Sequence, residues 1–384
     1  VAVAAAAGVA GALVAASPGG VPIASRQGGA RNGAPPPAAV AAARRLTIEQ
    51  LAGQRVIFAY QGLRPPRSLL HAIRAGEVGG IIFFGSNIAD VGQFRAVVHR
   101  LQQASLRGPL HDRLLMLTDQ EGGEVRRLPG APDQSEKQIG ASRNGPALAT
   151  AAGRAAGRNL AHAGINVNLA PVLDVFRRAG DFIDSDGRSY SSDAGVAGAL
   201  GARFISAQQA VGVAATAKHF PGLGAAATAQ NTDLRAVVLR VGLTQLRAVD
   251  EAPYRRAIAA GVKLVMSSWA VYPALAPRTP AGLSSRIVEG ELRGRLGFHG
   301  VTITDALGAG ALAAYGGMGN RAVLAAQAGN DLILGTSPKA NSPRADLAAV
   351  HALAAAIVSH RISLSDARSS VARILALPRP GYRR

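Results

Sequence analysis

The chain has no cysteine, which removes disulfides, thiolate nucleophiles and cysteine-based metal sites together. Aromatic residues are scarce, 4% against 48% hydrophobic overall, so a core must be built from alanine, valine, leucine and isoleucine. Lysine is almost missing. Lys137, Lys218, Lys263 and Lys339 are the only four, and arginine dominates the 42 basic residues set against 23 acidic ones. A net charge of +19 suits an anionic neighbour such as nucleic acid, a membrane surface or an acidic cell-wall polymer. The arginines are scattered, however, with no basic stretch interleaved with aromatics, which argues against sequence-specific nucleic-acid binding. No apolar run is long enough for a transmembrane segment, and no HExxH, Walker A or dinucleotide-binding glycine signature sits at a strand-to-helix junction. No metal and no cofactor are therefore expected.

What is present divides the 384 residues into three parts. Residues 1–16 are all Ala, Val, Gly or Leu, the size of a signal-peptide apolar region, so export to the cell envelope or medium is expected, with a cytoplasmic location if the segment is not a signal. Residues 17–45 are rich in Gly, Pro, Ala and Arg without periodicity and read as a flexible tether. The folded part is expected over 46–380, opening with Thr47 and Gln50 in capping-box spacing.

Eight short apolar runs follow, at 55–60, 78–84, 113–118, 165–173, 211–217, 262–267, 301–304 and 331–334. Between and after them lie stretches of helical length, among them 91–106, 147–163, 194–210, 244–260, 285–296, 343–359 and 363–377. Continuous apolar strands alternating with helices imply a parallel sheet covered on both faces. Eight such units predict an α/β fold, a single-domain (β/α)8 TIM barrel. In a barrel of this kind the site lies at the carboxyl ends of the strands. The residues just beyond the runs include Asp119, Asp174, Lys218, His219, Trp269 and Asp305.

Each candidate has a bland reading beside the functional one. Asp305, in Thr304-Asp305-Ala306-Leu307, is a nucleophile, base or metal ligand, or else a helix N-cap. Asp119 begins Asp119-Gln120-Glu121-Gly122-Gly123, a loop suited to holding ligand hydroxyls or a simple Asx-turn. Arg127 follows in the solvated or ligand-facing pair Arg126-Arg127. Arg188, in Gly187-Arg188-Ser189-Tyr190-Ser191-Ser192-Asp193, alternatively pairs with Asp184 or Asp186. Lys218-His219, entering Phe220-Pro221-Gly222, is costly to bury at the end of an apolar strand unless both side chains are paired, which favours a site. His299 should lie at the opposite mouth, while His71, His99, His111, His162, His351 and His360 fall in helices or outer loops.

These motifs, in this order and spacing over residues 46–377, resemble glycoside hydrolase family 3, and in particular its single-domain bacterial β-N-acetylhexosaminidase branch. The resemblance implies a retaining β-glycosidase that removes terminal β-linked N-acetylglucosamine from a carbohydrate substrate such as a peptidoglycan fragment. It puts Asp305 on the family's nucleophile, and Asp119, Arg127, Arg188, Lys218 and His219 on positions that bind the terminal sugar.

One motif departs. In that branch the Phe-Pro-Gly turn continues His-Gly and is followed by an Asp-x-His dyad on a mobile loop, the histidine serving as acid/base. Here Leu223-Gly224 follows the turn, and the loop reads Asn231-Thr232-Asp233 with about two residues more. Asp233 falls where the histidine is expected, and a carboxylic acid does the same work if burial raises its pKa. The alternatives are an acid/base elsewhere or a non-catalytic glycan-binding relative. A β-glucosidase or β-xylosidase is a further one, although such members usually draw the acid/base from a following domain that this chain is expected to be too short to hold.

Overall fold

A computed structural model describes residues 33–336 and 341–379. The apolar segment 1–16 and most of the expected tether lie outside the described residues. Eight strands form the centre: β1 (Val56–Phe58), β2 (Gly80–Ile82), β3 (Leu115–Thr118), β4 (Val167–Asn168), β5 (Ala214–Phe220), β6 (Leu264–Ser267), β7 (Val301–Thr304) and β8 (Ile333–Gly335). Each from β1 to β7 pairs in parallel with its neighbour in sequence, and β8 pairs in parallel with β1. A parallel bridge between Ile303 and Leu332 joins β7 to the start of β8 and closes the ring. This is the expected (β/α)8 barrel, with one strand in each apolar run.

Ile57, Leu115, Leu117, Val167, Leu264, Val301, Ile303 and Leu334 form one buried cluster drawn from six strands. Because neighbouring parallel strands slant across one another, such branched aliphatic side chains interleave in layers and fill the barrel without large aromatics. Helices Val91–Leu106, Gly145–Ala163, Ala194–Gln209, Pro343–Val358 and Leu364–Leu375 form the cover. Their starts are written locally: Asp90 and Asp193 each accept a backbone N–H three residues on, at 2.8 Å. Both halves of the Thr47–Gln50 capping box form.

Three local expectations differ. The end of the expected tether, Pro37–Arg45, is a helix. Ala39 and Ala43 recur on one face, and Ala43 joins Leu51 and Val371 in a buried cluster, so a small alanine face suffices to dock it. The fourth run is regular only at Val167–Asn168, with Val172 making an isolated bridge to Lys218, because Pro171 between them has no N–H for a ladder. The stretch 244–260 is broken into Leu243–Gln245, a π-helical turn Leu246–Asp250 and Ala252–Ala259. Pro253 lacks the N–H that would continue one helix through it.

Candidate active site

At the carboxyl ends of the strands a cavity of about 550 Å³ opens to solvent. Asp119, Arg127, Arg188, Lys218, His219, Asp233 and Asp305, seven residues from six separate segments, all line it. His299 lies elsewhere, beside Lys263 and Gly300 at the amino ends of β6 and β7.

Lys218 and His219 come from β5, where the ladder to β6 slips between Ala217 and Phe220. The Lys218 ammonium is 2.7 Å from Asp119 and 2.7 Å from Glu121. Glu121 also accepts two hydrogen bonds from Arg188, from Nε and from the second terminal nitrogen, each 2.9 Å. Burial alone would raise the Glu121 carboxyl, but Arg188 and Lys218 overcome it and hold the pKa at about 2. Burial opposes the charge on Lys218 too, and the carboxylates of Asp119 and Glu121 reverse that, leaving its pKa raised. The result is a fixed alternation of charge in which every buried ion is paired, the condition under which burial of both polar side chains is tolerated.

The reading of Arg188 as a partner of Asp184 or Asp186 is overturned. Asp184 is taken by Lys137 at 2.7 Å, and the planar fork of Arg188 matches the carboxylate of Glu121 instead. Arg126 pairs with Asp133. Arg127 faces the cavity, and its Nε is buried with no hydrogen-bond partner among the described residues.

His219 is held from behind. Its Nδ1 lies 2.7 Å from Asp174 Oδ2, and Asp174 Oδ1 accepts the backbone N–H of His219 at 3.2 Å and of Leu223 at 2.6 Å. An acceptor-only carboxylate fixes the proton on Nδ1 and leaves Nε2 as the ring's other polar atom. Gly222, in the turn between them, has φ of 147°, and a Cβ there would sit 2.6 Å from the Asp250 Cβ. Glycine is required at this bend for both reasons.

Asp305 directly follows β7. Its N–H donates to Ser267 O at 3.2 Å and its Oδ1 accepts from Ala306 N at 2.7 Å. The N-cap alternative fails, since a turn follows and the next helical segment, the 3₁₀ turn Gly310–Tyr315, begins five residues later. Trp269, fully buried, donates its indole N–H to Ala306 O at 2.9 Å, so this end-of-strand residue braces the Asp305 loop.

Asp233 lies on the loop after β5. Its N–H donates to the Asn231 side chain at 2.8 Å, and its neighbour Thr232 is buried. Its carboxyl is pushed up to about 6, first by burial and then by the Asp305 carboxylate, against the lowering influence of His219 and Arg188. The residue is still solvent-exposed at the open mouth. Water there screens the effect, and a ligand seated in the cavity would displace that water and favour the neutral acid further.

Two participants were not singled out from the sequence: Glu121 and, as the anchor of His219, Asp174. Both carried a signal. Glu121 is the second acid of the Asp119 motif, and Asp174 is the first residue after the fourth apolar run.

A closed parallel barrel that gathers carboxylates and clamped cations in one open cavity at its carboxyl end has the form of an enzyme acting on a polar, hydroxyl-rich ligand. Residues 45–377 match the description "Glycosyl hydrolase family 3 N terminal domain", and the chain belongs to that glycoside hydrolase family. It is 44% identical over 328 residues to an uncharacterized secreted glycosyl hydrolase of Arthroderma benhamiae, a match covering 85% of this chain and 92% of that one. A β-hexosaminidase of Stenotrophomonas maltophilia is 33% identical over 271 residues, 68% of this chain and 77% of that one. Among solved structures, a family 3 β-N-acetylglucosaminidase from Paenibacillus superposes with a TM-score of 0.80 at 37% identity over 86% of this chain, which spans 62% of that protein's length. A β-N-acetylhexosaminidase from Beutenbergia cavernae gives a TM-score of 0.76 at 33% identity, covering 86% of this chain and 97% of that one. Among the described residues no helix is long and apolar enough to cross a membrane.

Proposed function

We propose that the protein is an exported retaining β-glycosidase that releases terminal β-linked N-acetylglucosamine from cell-wall-type substrates such as peptidoglycan fragments, with Asp305 as nucleophile and Asp233 as acid/base. In the first step an Asp305 carboxylate oxygen bonds to the anomeric carbon while the bond to the leaving oxygen breaks and Asp233 gives that oxygen its proton. In the second step Asp233, now ionised, takes a proton from water. The resulting oxygen attacks the anomeric carbon, Asp305 leaves, and two inversions give net retention. Asp119, Arg127, Arg188, Lys218 and His219 bind the terminal sugar through charge-assisted hydrogen bonds. The names of the β-hexosaminidase and β-N-acetylglucosaminidase relatives support the sugar, and the secreted relative supports export.

The observation that carries the proposal is that Asp233 and Asp305 line one cavity. Asp233, raised to about 6 by burial and by the field of Asp305, is protonated under mildly acidic conditions. A carboxyl kept protonated beside a second one in the same cavity can serve as acid while its neighbour serves as nucleophile. Turnover of aryl β-N-acetylglucosaminide is expected to exceed that of aryl β-glucoside, the first product seen by NMR should be the β-anomer, and Asp305→Ala should abolish hydrolysis. Full activity in Asp305→Ala would remove that residue from the mechanism. Calorimetric binding of N-acetylglucosamine without turnover of any activated glycoside would make the protein a glycan-binding one.

A further inference from the structure

The loop carrying Asp233 is fastened to the segment that carries Asp305. Gly310 N–H donates to Asp233 O at 2.8 Å and Ala311 N–H donates to Thr232 O at 3.0 Å. The approach is close. A Cβ on Gly310 would lie 2.3 Å from Leu234 O, 2.4 Å from Leu234 C and 3.0 Å from Arg235 N, all backbone atoms that move only if the loop moves. The receiving segment is rigidly tied to the barrel: Leu307 N–H donates to Leu334 O at 3.0 Å, Gly308 N–H to Thr336 O at 2.8 Å, and Trp269 to Ala306 O at 2.9 Å. Within the loop Leu234 N–H and Arg235 N–H both donate to Asn231 O at 3.2 Å, and its other backbone ties to neighbouring segments are farther along, at Ala226 to Phe182 and at Val237 and Leu239 to Val271. The backbone ties of the span around Asp233 to another segment are therefore those to Gly310 and Ala311.

We infer that Gly310 is a positioning residue. Its missing side chain and its N–H set the Asp233 backbone in a common frame with the Asp305 loop, so that acid and nucleophile keep a fixed relation across the cavity. The inference rests on the assignment of Asp233 as acid/base. A carboxyl has a short reach, and proton transfer demands hydrogen-bond distance to the leaving oxygen, so small loop displacements are felt in that step alone. Asp305 is held separately, by Ser267 and Ala306, and should be spared.

The test compares Gly310→Ala, which adds the clashing Cβ and keeps the N–H, with Gly310→Pro, which adds the same Cβ and also removes the N–H. The preceding residue tolerates proline because Ala309 is extended, with φ −58° and ψ 144°, and position 310 opens a 3₁₀ turn. Gly317→Ala is the control, since a Cβ there meets nothing within 4 Å. Each is assayed on N-acetylglucosaminides with good and poor leaving groups, alongside Asp233→Asn, with thermal midpoints to verify folding. Both Gly310 variants should lose on the order of 10²-fold in kcat/KM on poor leaving groups, the scale of a 1 Å misplacement, and under about threefold on activated ones. They should also blur the fall in rate that Asp233 ionisation causes as pH rises. Wild-type behaviour in folded Gly310 variants would overturn the inference, and so would equal losses on both leaving groups, which would mean that the nucleophile had moved. If Asp233→Asn itself spares poor leaving groups, the acid assignment fails first and takes the inference with it, a distinct outcome.

Discussion

Asp233→Asn keeps the shape of the side chain and removes its proton. General acid catalysis is worth roughly 10²–10⁴-fold, but only where the leaving oxygen needs the proton. An alkyl or sugar leaving group, a poor one, should therefore lose that factor in the first step, whereas a dinitrophenolate leaves unaided and should lose little. The pH dependence has a definite sign. With a pKa of about 6, roughly nine-tenths of Asp233 is protonated at pH 5 and roughly a tenth at pH 7. The rate on poor leaving groups should thus fall as pH rises through about 6, and that limb should vanish in Asp233→Asn. On activated substrates kcat is limited by the second step, in which Asp233 is the proposed base, so kcat there should rise through the same pH and fall in Asp233→Asn, while kcat/KM, which reports the first step, should change little. Solvent exposure of Asp233 in the open mouth means that the limb should lie higher in kcat, with sugar bound, than in kcat/KM. The assay is a pH series on a pair of aryl and alkyl N-acetylglucosaminides. An equal loss of kcat/KM on both, or an unshifted limb in the variant, would remove Asp233 from proton transfer.

Three further outcomes follow from the buried charges. Asp174→Asn should lower kcat/KM by about 10- to 100-fold, the worth of hydrogen bonds to a charged group, because the two backbone N–H groups keep the amide oxygen and an NH2 then faces His219 Nδ1; the ring-nitrogen chemical shifts should show the lost tautomer preference, and an unchanged spectrum would refute it. Glu121→Gln should destabilise the fold by about 3–5 kcal/mol, since Arg188 and Lys218 lose their shared buried carboxylate; chemical unfolding measures this, and a loss under about 1 kcal/mol would contradict the buried network. Asp346 is pushed up to about 8 by burial, against a single backbone hydrogen bond from Ala59. A raised carboxyl pKa means that folding takes up a proton, so stability is greatest below the unfolded pKa of ~4 and declines by ~1.4 kcal/mol per pH unit up to about 8. Unfolding midpoints across that range should flatten in Asp346→Asn, and an unchanged slope would show that another group is responsible.

The barrel was legible because each strand is an unbroken apolar run bounded by turn residues, a pattern that burial on both faces imposes. End-of-strand position then pointed to Asp305, Lys218 and His219, which the fold brings to one cavity. The partner of Arg188 was not legible. Asp184 and Asp186 are near in sequence, Glu121 is near only in space, and bidentate geometry is decided by the fold. The break in 244–260 was marked by Pro253, but where the chain would resume was fixed by packing of Tyr254 and Ala257 into the core. Helix Pro37–Arg45 was hidden because alanines carry little hydrophobic contrast, and Ala43 finds its buried partners, Leu51 and Val371, elsewhere in the chain.

Where the family's bacterial branch is expected to orient a histidine ring with an aspartate, Asn231 here turns its side-chain oxygen onto the backbone N–H of Asp233. What is oriented has changed from a ring to a peptide. A histidine with two ring nitrogens needs its far nitrogen held to fix its proton, whereas a carboxyl has equivalent oxygens and needs no tautomer, only a place. The Asn231 turn, the buried Thr232 and the N–H of Gly310 all act on the backbone that sets that place. On the proposed assignment, the acid in this loop comes with a backbone that positions it, and burial and the Asp305 carboxylate raise its pKa. Restoring an Asp-x-His pair on the same loop should not restore the branch's chemistry in this frame, because these contacts act on the backbone of residue 233 and leave an imidazole ring there unheld. Asn231→Asp combined with Asp233→His is expected to behave like Asp233→Asn on poor leaving groups, and full activity in that double variant would show that the loop was never specialised for a carboxyl.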